Sequence, residues 1–173
     1  TFIEPLQEIK LVDLDNDGDL DIATINYGQG LKFSINNGIG QFHDTITGIQ
    51  CNEVINYDDY DNDGKIDLIL MVGTTLKLFS NNGNFLFTET SQLPSVTSKI
   101  ISSDIDEDGD IDLIYSNGDA YLNQGNGIFI IRANVSLYPH FIADFDSDGD
   151  LDLVADNSSP NEISLFKNVG YGI

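Results

Sequence analysis

Asp144-Phe145-Asp146-Ser147-Asp148-Gly149-Asp150-Leu151-Asp152 is the stretch on which the reading of this chain turns, because the chain writes it four times. The other copies are Asp13-Leu14-Asp15-Asn16-Asp17-Gly18-Asp19-Leu20-Asp21, Asp59-Tyr60-Asp61-Asn62-Asp63-Gly64-Lys65-Ile66-Asp67 and Asp104-Ile105-Asp106-Glu107-Asp108-Gly109-Asp110-Ile111-Asp112. Aspartates hold positions 1, 3, 5 and 9 in all four copies. Position 6 is glycine throughout, and positions 2 and 8 are apolar.

Alternate carboxylates on a tightly bent loop converge on one centre, and a hard cation such as Ca²⁺ takes about six to eight oxygen ligands. Glycine permits the bend because it has no Cβ to clash at positive φ. Position 7 varies (Asp19, Lys65, Asp110, Asp150), and an ammonium cannot ligate a cation, so this position is expected to offer its backbone carbonyl. The ligand set expected is therefore Asp13, Asp15, Asp17, Asp19 and Asp21; Asp59, Asp61, Asp63, Lys65 and Asp67; Asp104, Asp106, Asp108, Asp110 and Asp112; Asp144, Asp146, Asp148, Asp150 and Asp152. Four calcium sites follow. A solvated acidic turn is the plain alternative, since Asp-Gly is common in turns; four copies in one phase argue against it.

The loop begins like an EF-hand but does not continue as one. An EF-hand needs a Glu at position 12 and a following helix. Position 12 here is Thr24, Leu70, Tyr115 and Ala155, and the residues after each loop are short aliphatic, β-branched runs that read as strands.

Net charge is −22, but five, four, six and five acidic residues lie in the four loops, 20 of the chain's 29. The acidity is thus mostly metal-site chemistry. Seven scattered Lys and Arg make no phosphate-neutralising patch, so nucleic acid is not an expected partner, nor is an anionic membrane surface. No apolar run approaches the ~20 residues of a membrane helix. Cys51 is the sole cysteine and cannot form an internal disulfide. Calcium sites of modest affinity are useful where calcium is plentiful, at about 10⁻⁴–10⁻³ M, so an extracellular or cell-surface setting is expected. The chain shows no signal peptide and begins at Thr1, which suggests a processed or excised piece.

The loops recur at spacings of 46, 45 and 40 residues. Each is followed by a second landmark: Asn36-Asn37-Gly38, Asn81-Asn82-Gly83, Asn123-Gln124-Gly125 and Asn168-Val169-Gly170. Periods of this size with several short strands per unit mean propeller blades or solenoid turns. Four strands are predicted per unit, one before the acidic loop, one after it, and two flanking the Asn-x-Gly turn. The last unit lacks the fourth. Residues Thr1 to Leu6 look like that missing strand. The expected fold is an all-β, four-bladed propeller occupying residues 1–173 as one domain, closed by the N-terminal strand completing the last blade. A monomer is expected; two chains sharing one eight-bladed ring is the alternative.

The acidic loop followed by Asn-x-Gly-x-Gly-x-Phe at this period resembles the FG-GAP/VCBS repeat family, and related calcium loops occur in integrin α-subunit propellers. Unit two departs from the pattern at Phe85, where the second glycine usually sits, and units three and four depart at Gln124 and Val169. The resemblance implies that the first strand of each blade lines a central channel and that the calcium loops share one face. Loops at the other strand ends then carry Tyr27, Tyr138 and His140, and a tyrosine ring beside Asn, Ser and Gly would suit a glycan. An extracellular protein is the other candidate ligand. No nucleophile neighbours His43 or His140, and no phosphate cradle or Gly-x-Ser-x-Gly elbow occurs, so a binding module rather than an enzyme is expected. The competing readings are a passive structural or assembly element and, less favoured, a polysaccharide-active enzyme.

Overall fold

In the computed structural model of the chain, the residues described are 6–26, 30–94, 99–134, 138–156 and 162–168. Among them are fifteen strands and no helix, arranged in four antiparallel sheets. The chain divides into two compact units, Thr1–Ser95 and Val96–Ile173.

The first unit holds two four-stranded meanders. One runs β1 (Leu6–Val12), β2 (Asp21–Asn26), β3 (Gly30–Asn36), β4 (Phe42–Ile46); the other β5 (Glu53–Asp58), β6 (Asp67–Val72), β7 (Thr75–Asn81), β8 (Phe87–Leu93). The second unit holds β9 (Ile100–Ser103), β10 (Asp112–Tyr115), β11 (Asp119–Asn123), β12 (Phe129–Asn134), and a three-stranded sheet of β13 (Tyr138–Ala143), β14 (Asp152–Asp156), β15 (Ile163–Phe166). Strands therefore fall where the sequence places them, with most ends moved by one to three residues. The predicted closing strand lies mainly outside the described residues, and Leu6 opens β1, where it pairs with Asn26.

The second strand of each sheet is the apolar one because it is covered on both faces. In β6, Leu68, Ile69 and Leu70 are all fully buried; in β10, so are Leu113, Ile114 and Tyr115. Burying each such side chain contributes about 1.5–3 kcal/mol. The outer strand β4 is largely exposed instead, Phe42 and Ile46 included. In the first unit a continuous core joins the two sheets, from Val12, Ile25 and Phe33 to Val54, Leu68 and Phe79. In the second, Ile105, Ile114 and Ala120 pack with Ile142 across its two sheets.

This packing holds the acidic loops. Position 2 drives into the core as Leu14, Tyr60 and Ile105, at most 3% exposed, whereas Phe145 is half exposed. Every loop joins the first and second strands of its sheet, so all four lie at the same strand end of their sheets.

Candidate metal centres and the opposite cleft

One backbone geometry is written four times. Position 4 is left-handed in every loop, at Asn16, Asn62, Glu107 and Ser147 (φ 58° to 62°), and so is the glycine at position 6 (φ 82° to 102°). Two left-handed residues two apart curl the loop so that N–H groups point inward. The position 1 carboxylate takes two of them: Asp17 and Gly18 donate to Asp13 at 3.2 and 3.0 Å, and Asp59, Asp104 and Asp144 accept the same pair in their loops. Position 5 then accepts from the position 7 N–H, as in Asp19 N to Asp17 Oδ1 at 2.9 Å.

Position 9 is a clamp. Asp21, Asp67, Asp112 and Asp152 are fully buried. Each accepts the position 2 N–H on one oxygen and the N–H of an asparagine at or just beyond the end of the third strand on the other. For Asp67 the donors are Tyr60 at 3.1 Å and Asn81 at 2.8 Å. Those asparagines, Asn36, Asn81, Asn123 and Asn168, are the first residues of the second landmark. The amides of Asn36, Asn81 and Asn123 donate back to the position 8 carbonyls of Leu20, Ile66 and Ile111. Loop and landmark are thus one hydrogen-bonded unit, a link that motif reading did not find. Its only trace in the sequence is that the two always occur together.

Position 7 has a role that reading also missed. A Cβ on Gly38 (φ 77°) would lie 2.5 Å from Asp19 Oδ2, and one on Gly125 would lie 2.9 Å from Asp110 Oδ2. At Gly38 and Gly125 a side chain would have to push the position 7 carboxylate aside, whereas Gly83 has room beside Lys65, so positive φ is the requirement that the three share.

Carboxylates converge as expected, though not identically. Ligand oxygens of Asp13, Asp15 and Asp17 lie within 4.8 Å of one another, as do those of Asp104, Asp106 and Asp108. In the other two loops the groups are Asp59, Asp61 and Asp67, and Asp144, Asp146 and Asp152. Position 7 carboxylates join none of these groups among the described residues, and Lys65 turns its ammonium onto Asp63. A hard divalent cation fits this donor set. It is all oxygen, and at position 3 the buried Oδ1 atoms of Asp61 and Asp106 meet no hydrogen-bond donor among the described residues. Crowding registers in the acidities. Burial first, then Asp17 and Asp21, raises the Asp15 pKa; burial, then Asp108, raises that of Asp106. Burial pushes Asp67 up to about 6 against the opposing pull of the Asn81 N–H, and raises Asp112 likewise. Asp146 departs in the other direction, because Lys167 Nζ donates to it.

At the opposite strand ends of the second unit lies a cleft of about 430 Å³, lined by Lys99, Ser116, Asn117, Tyr138, Pro139, His140 and Asp156. Tyr138 is 61% exposed. His140 Nε2 sits 3.0 Å from Asp156 Oδ2. Lys99 Nζ donates to the His140 carbonyl at 2.8 Å and stands 4.7 Å from the centre of the Phe141 ring. Two of the three residues predicted for a ligand face, Tyr138 and His140, are therefore together; Tyr27 lies outside the described residues.

Antiparallel sheets, three of four strands and one of three among the described residues, each with an acidic loop between its first two strands, make an all-β repeat protein of propeller-like build. Residues 59–115, from the second loop through β10, match the FG-GAP-like repeat. Among solved structures, the chain is similar to a lectin of Agrocybe aegerita described as specifically recognising non-reducing terminal N-acetylglucosamine. The TM-score is 0.67 at 19% identity, over 86% of this chain and 46% of that one. The similarity carries a propeller-like fold, and the chain spans about half the length of that protein. BBS1N, solved in complex with ARL6DN, aligns with a TM-score of 0.47 at 14% identity, over 85% of this chain and 49% of that one. No curated protein matches.

Proposed function

We propose that this protein is a calcium-binding, calcium-stabilised β-propeller module of four blades that acts outside the cell or at its surface as a non-catalytic binding domain, lectin-like in its ligand. The observation that carries this reading is the fourfold loop. Four carboxylates at fixed positions, two left-handed residues and two buried clamp bonds recur with the same partners. Bound calcium would supply positive charge to three converging carboxylates per loop, and would tie the first and second strands of each sheet at that end. The chain's own residues do the positioning: position 1 holds the loop N–H groups and position 9 locks loop to landmark.

A saccharide suits the opposite cleft. The exposed Tyr138 ring offers an apolar face, while His140, Asp156, Asn117 and Ser116 border it with hydrogen-bonding groups. Carbohydrate binding by the similar lectin adds support for that class of ligand.

A glycan-array screen in millimolar calcium and again in EDTA tests the reading. Binding that requires calcium and is lost in Tyr138→Ala is the expected result. A folded, calcium-loaded protein that binds no glycan would redirect the reading to a protein ligand, and calorimetry finding no calcium uptake would end the metal assignment.

A further inference from the structure

Three of the four loops already hold a cation of the chain's own. Lys167 Nζ donates to Asp146 Oδ2 at 2.6 Å. Arg132 Nη1 reaches Asp106 Oδ2 at 3.3 Å. Lys65, itself at position 7, contacts Asp63. The first loop is different: among the described residues no ion pair reaches Asp13, Asp15, Asp17, Asp19 or Asp21. Two of the three contacted residues sit within converging groups, and Asp63 does not. Asp106 and Asp146 belong to the converging groups of their loops, both at position 3.

We propose that Lys167, Arg132 and Lys65 are tethered competitors of calcium, which grade four loops of one backbone geometry into one tight site at residues 13–21 and three weaker ones. The inference rests on the calcium reading and goes beyond it to how each site is tuned. The physics is exchange of one cation for another. An ammonium or guanidinium must leave the carboxylate, or share it, before a divalent ion can take the same oxygens. Repulsion between the two falls only with distance. Lys167 is placed to compete hardest. It makes the shortest contact with a position 3 carboxylate and directly precedes Asn168, whose N–H is fixed to Asp152 at 2.9 Å. Its side chain is 56% exposed, so displacement into water is open to it and the effect is one of degree.

Such grading also changes what happens when calcium is withdrawn. A loop with a tethered cation keeps part of its charge neutralised, while the first loop is left with its carboxylates alone.

Calorimetric titration of calcium into the chelator-stripped whole chain tests this with three variants. Lys167→Met removes the competitor, Lys167→Arg retains a cation, and Lys77→Met removes the same charge from a pair with Glu89 that touches no loop. Lys167→Met should tighten one site by roughly three- to tenfold, while Lys167→Arg and Lys77→Met leave affinities at the wild-type values. Melting must cross over: Lys167→Met melts below wild type in EDTA and regains or exceeds it in saturating calcium. An unshifted fourth site in Lys167→Met, or an equal shift in Lys77→Met, overturns the tethered competitor while leaving calcium binding intact. Wild-type protein that takes up no calcium removes the metal reading, and this inference with it.

Discussion

The two loops of the first unit meet through neutral groups, and the two loops of the second meet through charges of the same sign. In the first, the Asn16 side-chain amide donates to the Gly64 carbonyl, linking position 4 of one loop to position 6 of the next. In the second, the position 4 residue is Glu107, and its neighbour across the loops is Asp150 at position 7. Asp150 is the largest influence on Glu107 and raises its pKa. Backbone φ values and clamp bonds are the same in both units. Loop shape is therefore set by the aspartate-glycine frame, and position 4 needs only a residue that tolerates positive φ. What position 4 does decide is the electrostatic balance between neighbouring loops. At this contact the second unit carries a like-charge repulsion that the first lacks, set against the tethered cations on Asp106 and Asp146.

Chelation breaks that comparison most forcefully. A site filled at ten to a hundred times its Kd stabilises by about 1.4–2.7 kcal/mol, so emptying several sites should lower the melting temperature by more than about ten degrees. Amide hydrogen exchange locates the loss. On adding EDTA, amides of β1 and β2, whose loop has no tethered cation among the described residues, should speed up most, and amides of β9 and β13 should speed up less in Glu107→Asn than in wild type. Equal acceleration of β9 and β13 in Glu107→Asn and wild type would show that the Glu107–Asp150 contact does not strain the second unit.

Next in size is the clamp. Asp67→Ala leaves the buried N–H groups of Tyr60 and Asn81 without acceptors, at a cost of about 2–4 kcal/mol in urea unfolding. Asp112→Ala should cost about the same, because its two bonds are 2.9 and 2.8 Å. Asp19→Ala, at position 7, should cost far less, since that carboxylate lies outside the converging group of its loop. Similar costs for Asp19→Ala and Asp67→Ala would refute the clamp.

Acidification reads the carboxylate charges directly. Asp67 titrates near 6 in the fold, against about 3.9 when unfolded. A raised carboxyl pKa means that the folded state binds the proton more tightly, so this group costs stability at pH 7 and that cost is relieved as pH falls through 6 toward 4. Glu107, also raised, acts in the same direction. Chelated protein should therefore melt higher at pH 5 than at pH 7. Calcium-loaded protein should show the opposite trend, since protons and calcium compete for the same oxygens.

How much of this was readable in advance follows from where the information sits. Sheet order, strand positions and the acidic loops were legible because they rest on local signals: aspartates at fixed spacing, glycine at position 6 and apolar runs between turn residues. The clamp was not, since Asp67 finds Asn81 through strand pairing across β6 and β7, and no local pattern specifies that partner. Phe85 shows the same divide. It was legible as a residue in a glycine's place, and it does take φ 59°, next to Asn84 at 51°. Its compensation, a ring contact with Phe33 at 6.4 Å, comes from the neighbouring sheet. Lys167 and Arg132 are scattered in the sequence, and the fold brings both to acidic loops 21 and 26 residues away in the chain.

The smallest effect is the most direct test of how the two units differ, because it exchanges their position 4 residues. Glu107→Asn gives the second unit the position 4 residue of the first. Asparagine tolerates positive φ better than glutamate and carries no charge, so both changes favour the folded state. In EDTA at pH 7 this variant should melt about two to four degrees above wild type, with a weaker dependence on pH between 5 and 7. Asn16→Asp does the reverse: it removes the amide that donates to Gly64 and adds a carboxylate to the first unit, so it should lower the EDTA melt and increase its response to pH. Both shifts should shrink in saturating calcium, where position 4 no longer faces uncompensated carboxylates. A Glu107→Asn gain that is the same at pH 5 and pH 7 would assign it to backbone preference alone, and would remove charge repulsion as the difference between the two units.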